Sequence, residues 1–220
     1  MTEQEFVEAV KSLKIEVKEE QLKQLNEFYD YLIETNKSMN LTRIVDKKEV
    51  YLKHFYDSLT IAKIYNLNQP LTLVDVGTGA GFPGIVLKIF FPDLQITLID
   101  ALQKRVNYLK QVIEKLNLTK IEVKHNRAEE LIAKQETYDI VVARAVASLE
   151  KLLPWTMPLV NNHGVFIAMK ANVDEELEKA YPIIQQKHYI LKQKEIFYLP
   201  KEGSKRTLLL FEKNNNRNTS

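Results

Sequence analysis

The stretch Asp75-Val76-Gly77-Thr78-Gly79-Ala80-Gly81-Phe82-Pro83-Gly84 limits what this chain can fold into more than any other. It follows a short apolar run, residues 71–76, and leads into an apolar segment. A short apolar run that ends in glycine reads as a buried parallel strand. Glycines after such a strand let the backbone turn sharply and let a ligand approach the peptide units. The next strand-like segment, residues 95–100, ends in Asp100, a carboxylate placed to accept the two ribose hydroxyls of a nucleoside.

The pattern then repeats. Strands are predicted over 95–100, 120–124, 138–143 and 164–170, and helices over 103–116, 128–133, 149–159 and 174–186. Two final strands, 189–198 and 206–213, leave no room for a helix between them, and a parallel crossover needs about a dozen residues or more, so they should form an antiparallel hairpin. Five strand–helix units closed by a hairpin predict an α/β fold with a seven-stranded sheet, parallel except for one antiparallel strand. Residues 1–68 read as an N-terminal helical extension, with a Thr2/Glu5 capping box, a second helix marked by Leu22, Leu25, Phe28, Leu32 and Ile33, and a third over 48–65. Residues 36–43 read as a polar connection. The expected organisation is an extension over 1–68, a ligand-binding domain over 69–213 and a disordered tail over 214–220.

Two ligands compete for the glycine turn. Gly79-Ala80-Gly81-Phe82-Pro83-Gly84 satisfies GxGxxG, and Asp100 lies where an NAD ribose acid would. Against a dinucleotide, Asp75 would repel a pyrophosphate but could pair with an ammonium, and Pro83 removes an N–H from the helix start. S-adenosylmethionine requires an acid for its amino group and one for its ribose, in this order. The loop Asn126-Arg127-Ala128-Glu129-Glu130 follows the third strand, where adenine would lie, although Glu129 also suits the first turn of a helix. Arg144 follows the fourth strand, in the position that faces the transferring methyl group; the alternative for it is a salt bridge in the core.

Composition narrows the class. There is no cysteine, and the four histidines are scattered, so no disulfide, thiolate nucleophile or metal site is expected. Glu3, Gln4 and Glu5 stand where a basic signal region would be, and the apolar runs are strand-sized, so the expectation is a cytoplasmic protein with no membrane span. Net charge is only +2, but residues 1–35 hold 4 lysines against 9 acids, whereas residues 36–63 hold 6 basic residues against 3 acids and residues 187–220 hold 8 against 3. Two basic segments are what a one-sided polyanion surface would produce, and equally what ordinary solvated lysines would.

Taken together, Met39-Asn40-Leu41-Thr42, His54-Phe55-Tyr56-Asp57-Ser58-Leu59, the glycine turn, Lys104-Arg105, Arg127-Ala128-Glu129-Glu130, Arg144-Ala145-Val146-Ala147, Met169-Lys170 and Lys205-Arg206-Thr207 resemble the bacterial 16S ribosomal RNA guanine-N-7 methyltransferases, also called glucose-inhibited division protein B. The resemblance runs from about Asn36 to Lys213. It implies a Rossmann-like class I methyltransferase fold, S-adenosyl-L-methionine as cofactor and small-subunit ribosomal RNA as partner. It also implies that Gly77 and Phe82 line the cofactor site, with Ala128 and Glu129 near adenine and Arg144 near the methyl donor. With Asp75, Gly79 and Asp100 from the turn, these form the expected cofactor set, and Arg144 is the expected catalytic residue. Asn40, Arg43, His54, Asp57 and Ser58 are candidate binders of the RNA base, and Lys170, Lys205 and Arg206 of phosphate. His54 and Asp57 could instead cap and pair within their helix. A non-catalytic RNA-binding module on the same fold remains the rival from another class.

Overall fold

In the computed structural model, which describes residues 1–214, a seven-stranded sheet is ordered β3-β2-β1-β4-β5-β7-β6. Its strands are β1 (Thr72–Val76), β2 (Gln95–Asp100), β3 (Ile121–His125), β4 (Tyr138–Arg144), β5 (Val160–Lys170), β6 (Tyr189–Tyr198) and β7 (Lys205–Lys213). Only β7 runs against its neighbours, slotted between β5 and β6. The expected sheet, parallel with one antiparallel strand, is therefore observed. Residues 215–220, most of the expected tail, lie outside the described residues.

The central parallel strands β1, β2 and β4 are largely apolar on both faces because both faces are covered. Leu73, Ile96, Leu98, Ile140 and Val142 point to one side, where α5 (Gly84–Phe90), α6 (Gln103–Lys115) and the N-terminal helices pack. Val74, Val76, Ile99, Val141 and Ala143 point to the other, against α7 (Ala128–Ala133), α8 (Leu149–Thr156) and α9 (Asp174–Gln186). The N-terminal helices α1 (Glu3–Ser12) and α2 (Glu19–Met39) share the first of these cores: Phe6 meets Phe90 edge-on, and Phe28 lies 5.2 Å from Phe82. Thr2 and Glu5 form the expected capping box.

Two local expectations change. Helix α2 continues to Met39 and ends at Asn40 in the left-handed conformation, φ 50°, so the polar connection begins four residues later than its composition suggested. Asparagine tolerates that conformation, which makes it a good helix stop. The third helix is not uniform. It starts as α3 (Lys47–Val50), widens to i→i+5 bonding over Tyr51–Tyr56, tightens through α4 (Asp57–Leu59) and ends as a 3₁₀ turn over Thr60–Lys63. Such widenings recur at functional sites. Together the widened turn and α4 bury His54, Asp57 and Ser58 along with Leu52, Phe55 and Leu59.

Candidate active site

The glycine turn is held from below by Asp75. One carboxylate oxygen, Oδ2, accepts from Thr78 Oγ1 at 2.7 Å and from Gly84 N at 2.9 Å, while Oδ1 has no hydrogen-bond partner. Asp75 is wholly buried, and that burial pushes its carboxyl up to about 6. The expectation that it stands at the open mouth of β1 to meet a ligand ammonium is corrected: it staples the turn. Gly84 must lack a side chain, since a Cβ there would lie 2.2 Å from Leu98. Gly77 and Gly79 have φ of +68° and +60°, a region L side chains rarely adopt. A Cβ on Gly79 would meet nothing nearer than 4.0 Å, so this glycine opens onto free space.

The backbone donors of the turn are already committed. Gly81 N and Phe82 N both donate to Thr78 O, Pro83 has none, Gly84 N serves Asp75, and Ile85 N donates to Gly81 O. A pyrophosphate at this helix start would find no N–H from residues 81–85, the donors a dinucleotide turn depends on.

Asp100 closes the next strand, only 4% exposed. Its Oδ1 accepts from Leu102 N at 2.9 Å, and its Oδ2 accepts from Gly79 N at 3.1 Å and faces Arg105 at 3.4 Å. It borders a cavity with Val76, Gly77, Ile99, Ala128, the exposed Glu129 and Trp155. Gly77 also borders a second cavity, which is lined by Gly79, Phe82, Thr42, His54, Arg144 and Ala145. His54, Arg144 and Ala145 in turn border a third cavity of about 480 Å³ on the side of β5 and β7. The three form a row along the carboxyl ends of β2, β1 and β4, the edge where open α/β sheets bind ligands.

Arg144 stands between the second and third cavities. Its guanidinium donates to Lys53 O at 3.1 Å, to Asp57 Oδ2 at 3.3 Å and, through Nη2, to His54 Nδ1 at 3.2 Å, and it lies 5.2 Å from the centre of the Phe82 ring. A guanidinium only donates, so His54 Nδ1 is the acceptor and its Nε2–H donates to Thr42 Oγ1 at 2.9 Å. The imidazole stacks on Phe82 at 4.4 Å. Burial, helped by Arg144, lowers the His54 pKa to about 3, so the ring is neutral at physiological pH. Ala145 takes φ 51°, an unusual conformation for alanine at the junction of two cavities.

Asp57 lies between two arginines, with Oδ1 accepting from Arg206 Nε at 3.2 Å on the side opposite Arg144. Burial pushes its carboxyl up, and the two guanidiniums pull it down. His54 and Asp57 thus do not pair within their helix; both border the third cavity, and His54 borders the second as well. Ser58 is also corrected: it is wholly buried and donates to His54 O at 2.6 Å. Lys170 is no open phosphate contact, since its ammonium pairs with Glu176 at 2.8 Å and donates to Ala147 O. Arg206 is largely spent on Asp57 and on Lys205 O. Asn40 and Arg43 are exposed, and Lys205 is partly exposed, its Nζ only loosely paired 3.9 Å from Asp174. The two basic segments do meet: Arg206 reaches Asp57, and Lys53 reaches Glu202 at 3.4 Å. Thr42, Arg105 and Glu176 border the site unexpectedly; the first two lie inside motifs already noted, and Glu176 carried no signal in the sequence.

Residues 21–207 match the family profile described as rRNA small subunit methyltransferase G. The chain belongs to this family. A ribosomal RNA small subunit methyltransferase G from Bacillus cereus (strain B4264) is 44% identical over 217 residues, spanning 97% of this chain and 91% of its own length. One from Bacillus thuringiensis (strain Al Hakam) matches to the same extent. Solved structures share the fold at low identity. The ribosomal protein L11 methylase of Lactobacillus delbrueckii subsp. bulgaricus superposes with a TM-score of 0.56 at 19% identity, covering 77% of this chain and 80% of that one. A SAM-dependent methyltransferase from Aquifex aeolicus gives a TM-score of 0.56 at 18% identity, covering 78% and 96%. The expected class I methyltransferase fold is thereby shown. Among the described residues no helix is long and apolar enough to cross a membrane.

Proposed function

We propose that the chain transfers a methyl group from S-adenosylmethionine to N-7 of a guanine in small-subunit ribosomal RNA, in the bacterial cytoplasm. The observation that carries this reading is the row of three cavities, joined first at Gly77 and then at His54, Arg144 and Ala145. It provides a nucleoside end, a methyl end and an acceptor end in line.

The residues fit the cofactor. Asp100 keeps acceptor capacity beyond its three present contacts, as a carboxylate has about four lone-pair positions, and can take ribose hydroxyls. Val76, Ile99 and Trp155 offer apolar walls for adenine beside Ala128 and Glu129. Gly77 and Gly79 leave space where side chains would intrude, and Phe82 and Arg144 close the methyl end. Asp75 acts through the turn it staples. The committed N–H groups of residues 81–85 disfavour NAD.

When bound, the cofactor supplies an electrophilic methyl group. Guanine N-7 has a free lone pair and no proton to lose, so alignment and exclusion of water are what the protein must provide. The junction suits that task. His54 is neutral with both nitrogens engaged, Asp57 is capped by two guanidiniums, and no general base stands there. Arg144, fixed by three acceptors and by Phe82, sets the wall between donor and acceptor. Asn40, Arg43 and Lys205 remain the residues best placed on the surface for RNA. Calorimetry with S-adenosylhomocysteine and with NAD tests the cofactor assignment. Binding of the first alone is expected, and binding of NAD alone would overturn it.

A further inference from the structure

We propose that the third cavity receives the acceptor guanine and that Glu176 reads its N1–H and N2-amino edge. This rests on the methyltransferase reading above. The cavity, about 480 Å³, is within the usual size of a small-molecule site and has apolar walls at Ile44, Met169, Phe197 and Leu208, suited to a flat ring. Enzymes acting on a base within RNA commonly take it out of the stack and read its Watson–Crick edge.

Most charged groups around the cavity are already satisfied. Asp57 holds Arg144 and Arg206, Lys53 pairs with Glu49 and Glu202, and Lys170 pairs with Glu176. Glu176 differs. Its Oε2 accepts from Leu149 N at 2.9 Å and from Lys170 at 2.8 Å, which fixes the carboxylate, while its Oε1 has no partner among the described residues. A fixed carboxylate with a free oxygen accepts from neighbouring donors. Guanine alone among the four RNA bases presents two adjacent donors, N1–H and N2–H, on that edge. Adenine and cytosine present a ring acceptor there, and uracil a single N–H between two carbonyls.

The placement also suits the reaction. N-7 lies across the purine from N1 and N2. A group that reads the N1/N2 edge must therefore stand away from the methyl end. Arg144, His54 and Ala145 border both cavities, whereas Glu176 borders only the third. Lys170 and Leu149 thus become positioning residues for a specificity determinant.

The test uses small-subunit RNA rebuilt by ligation with guanosine or inosine at the methylated position, assembled into particles, and the full-length protein. Inosine keeps N-7 and N1–H but lacks the N2 amino group. The wild type is expected to favour guanosine by about 10-fold or more in kcat/KM, the factor for one charge-assisted hydrogen bond. Glu176→Met should bring that ratio near one, and Glu176→Gln, which keeps an oxygen for Leu149 N, should narrow it. A ratio near one in the wild type, or an unchanged ratio in either variant, overturns the proposal. Because the ratio compares two substrates on one protein, a general loss of folded enzyme does not move it. Failure of the wild type to methylate the guanosine particle would instead strike the methyltransferase reading.

Discussion

Asp57→Asn isolates the charge that joins the N-terminal extension to the carboxyl edge of the sheet. The carboxylate is 5% exposed and touches Arg144 at 3.3 Å and Arg206 at 3.2 Å. Removing one member of a buried ion pair typically costs about 3–5 kcal/mol, because the partner charge is left uncompensated. Asparagine keeps the shape and one acceptor, and it relieves the desolvation that pushes the Asp57 carboxyl up, so the lower end applies: about 3 kcal/mol. For a chain of this size that is a fall in Tm of about 6–12 °C. Arg144 would lose the one anionic partner it has among the described residues, so turnover should fall further than stability explains. Urea unfolding at pH 7, paired with methyl transfer under conditions where the variant remains folded, measures both. A double-mutant cycle with Arg144→Gln should return a coupling above about 1 kcal/mol, as contacting residues do. A variant as stable and as active as the wild type, or strict additivity in the cycle, would refute the clamp.

Asp100→Ala should weaken S-adenosylhomocysteine binding by about 1–3 kcal/mol, read by calorimetry under conditions where the variant remains folded. The low pKa of His54, about 3, against an ordinary value of 6.5 makes the folded state reject a proton that the unfolded chain takes up. Stability should therefore rise with pH between those two values, and His54→Gln should flatten the rise by up to about 2 kcal/mol between pH 5 and 6.5. A pH–stability curve identical to that of the wild type would show that the ring is not held neutral. Lys205→Ala should lower affinity for ribosomal RNA and reduce the salt slope by about one unit without changing cofactor affinity. Binding assays across a salt series measure that slope, and an unchanged value would make Lys205 ordinary solvated surface.

The sheet was legible because its central strands are largely apolar on both faces and each connection is short. Strand β2 and helices α7 and α9 fall where their patterns place them, and the hairpin β6–β7 follows from the missing crossover. The widened turn at Tyr51–Tyr56 was not legible, since its apolar residues also fit an ordinary helix. The same limit governed the site. Asp75 and Asp100 both stand at strand ends, yet one faces inward to staple the turn and the other borders a cavity, a difference set by the contacts of Gly84 and Leu98. Ser58, Asp57, Lys170 and Arg206 looked like surface polar groups because burial by residues distant in sequence carries no local signal. Glu176 was missed because its contact with Leu149 N comes from 27 residues away in the chain.

The central claim is tested most directly by the position of the transferred methyl group. Purified protein is incubated with labelled S-adenosylmethionine and small-subunit particles from cells lacking the enzyme, and the RNA is digested to nucleosides. The predicted result is label in 7-methylguanosine. Label in any other nucleoside, or none in RNA while the protein still binds S-adenosylhomocysteine, would contradict the account.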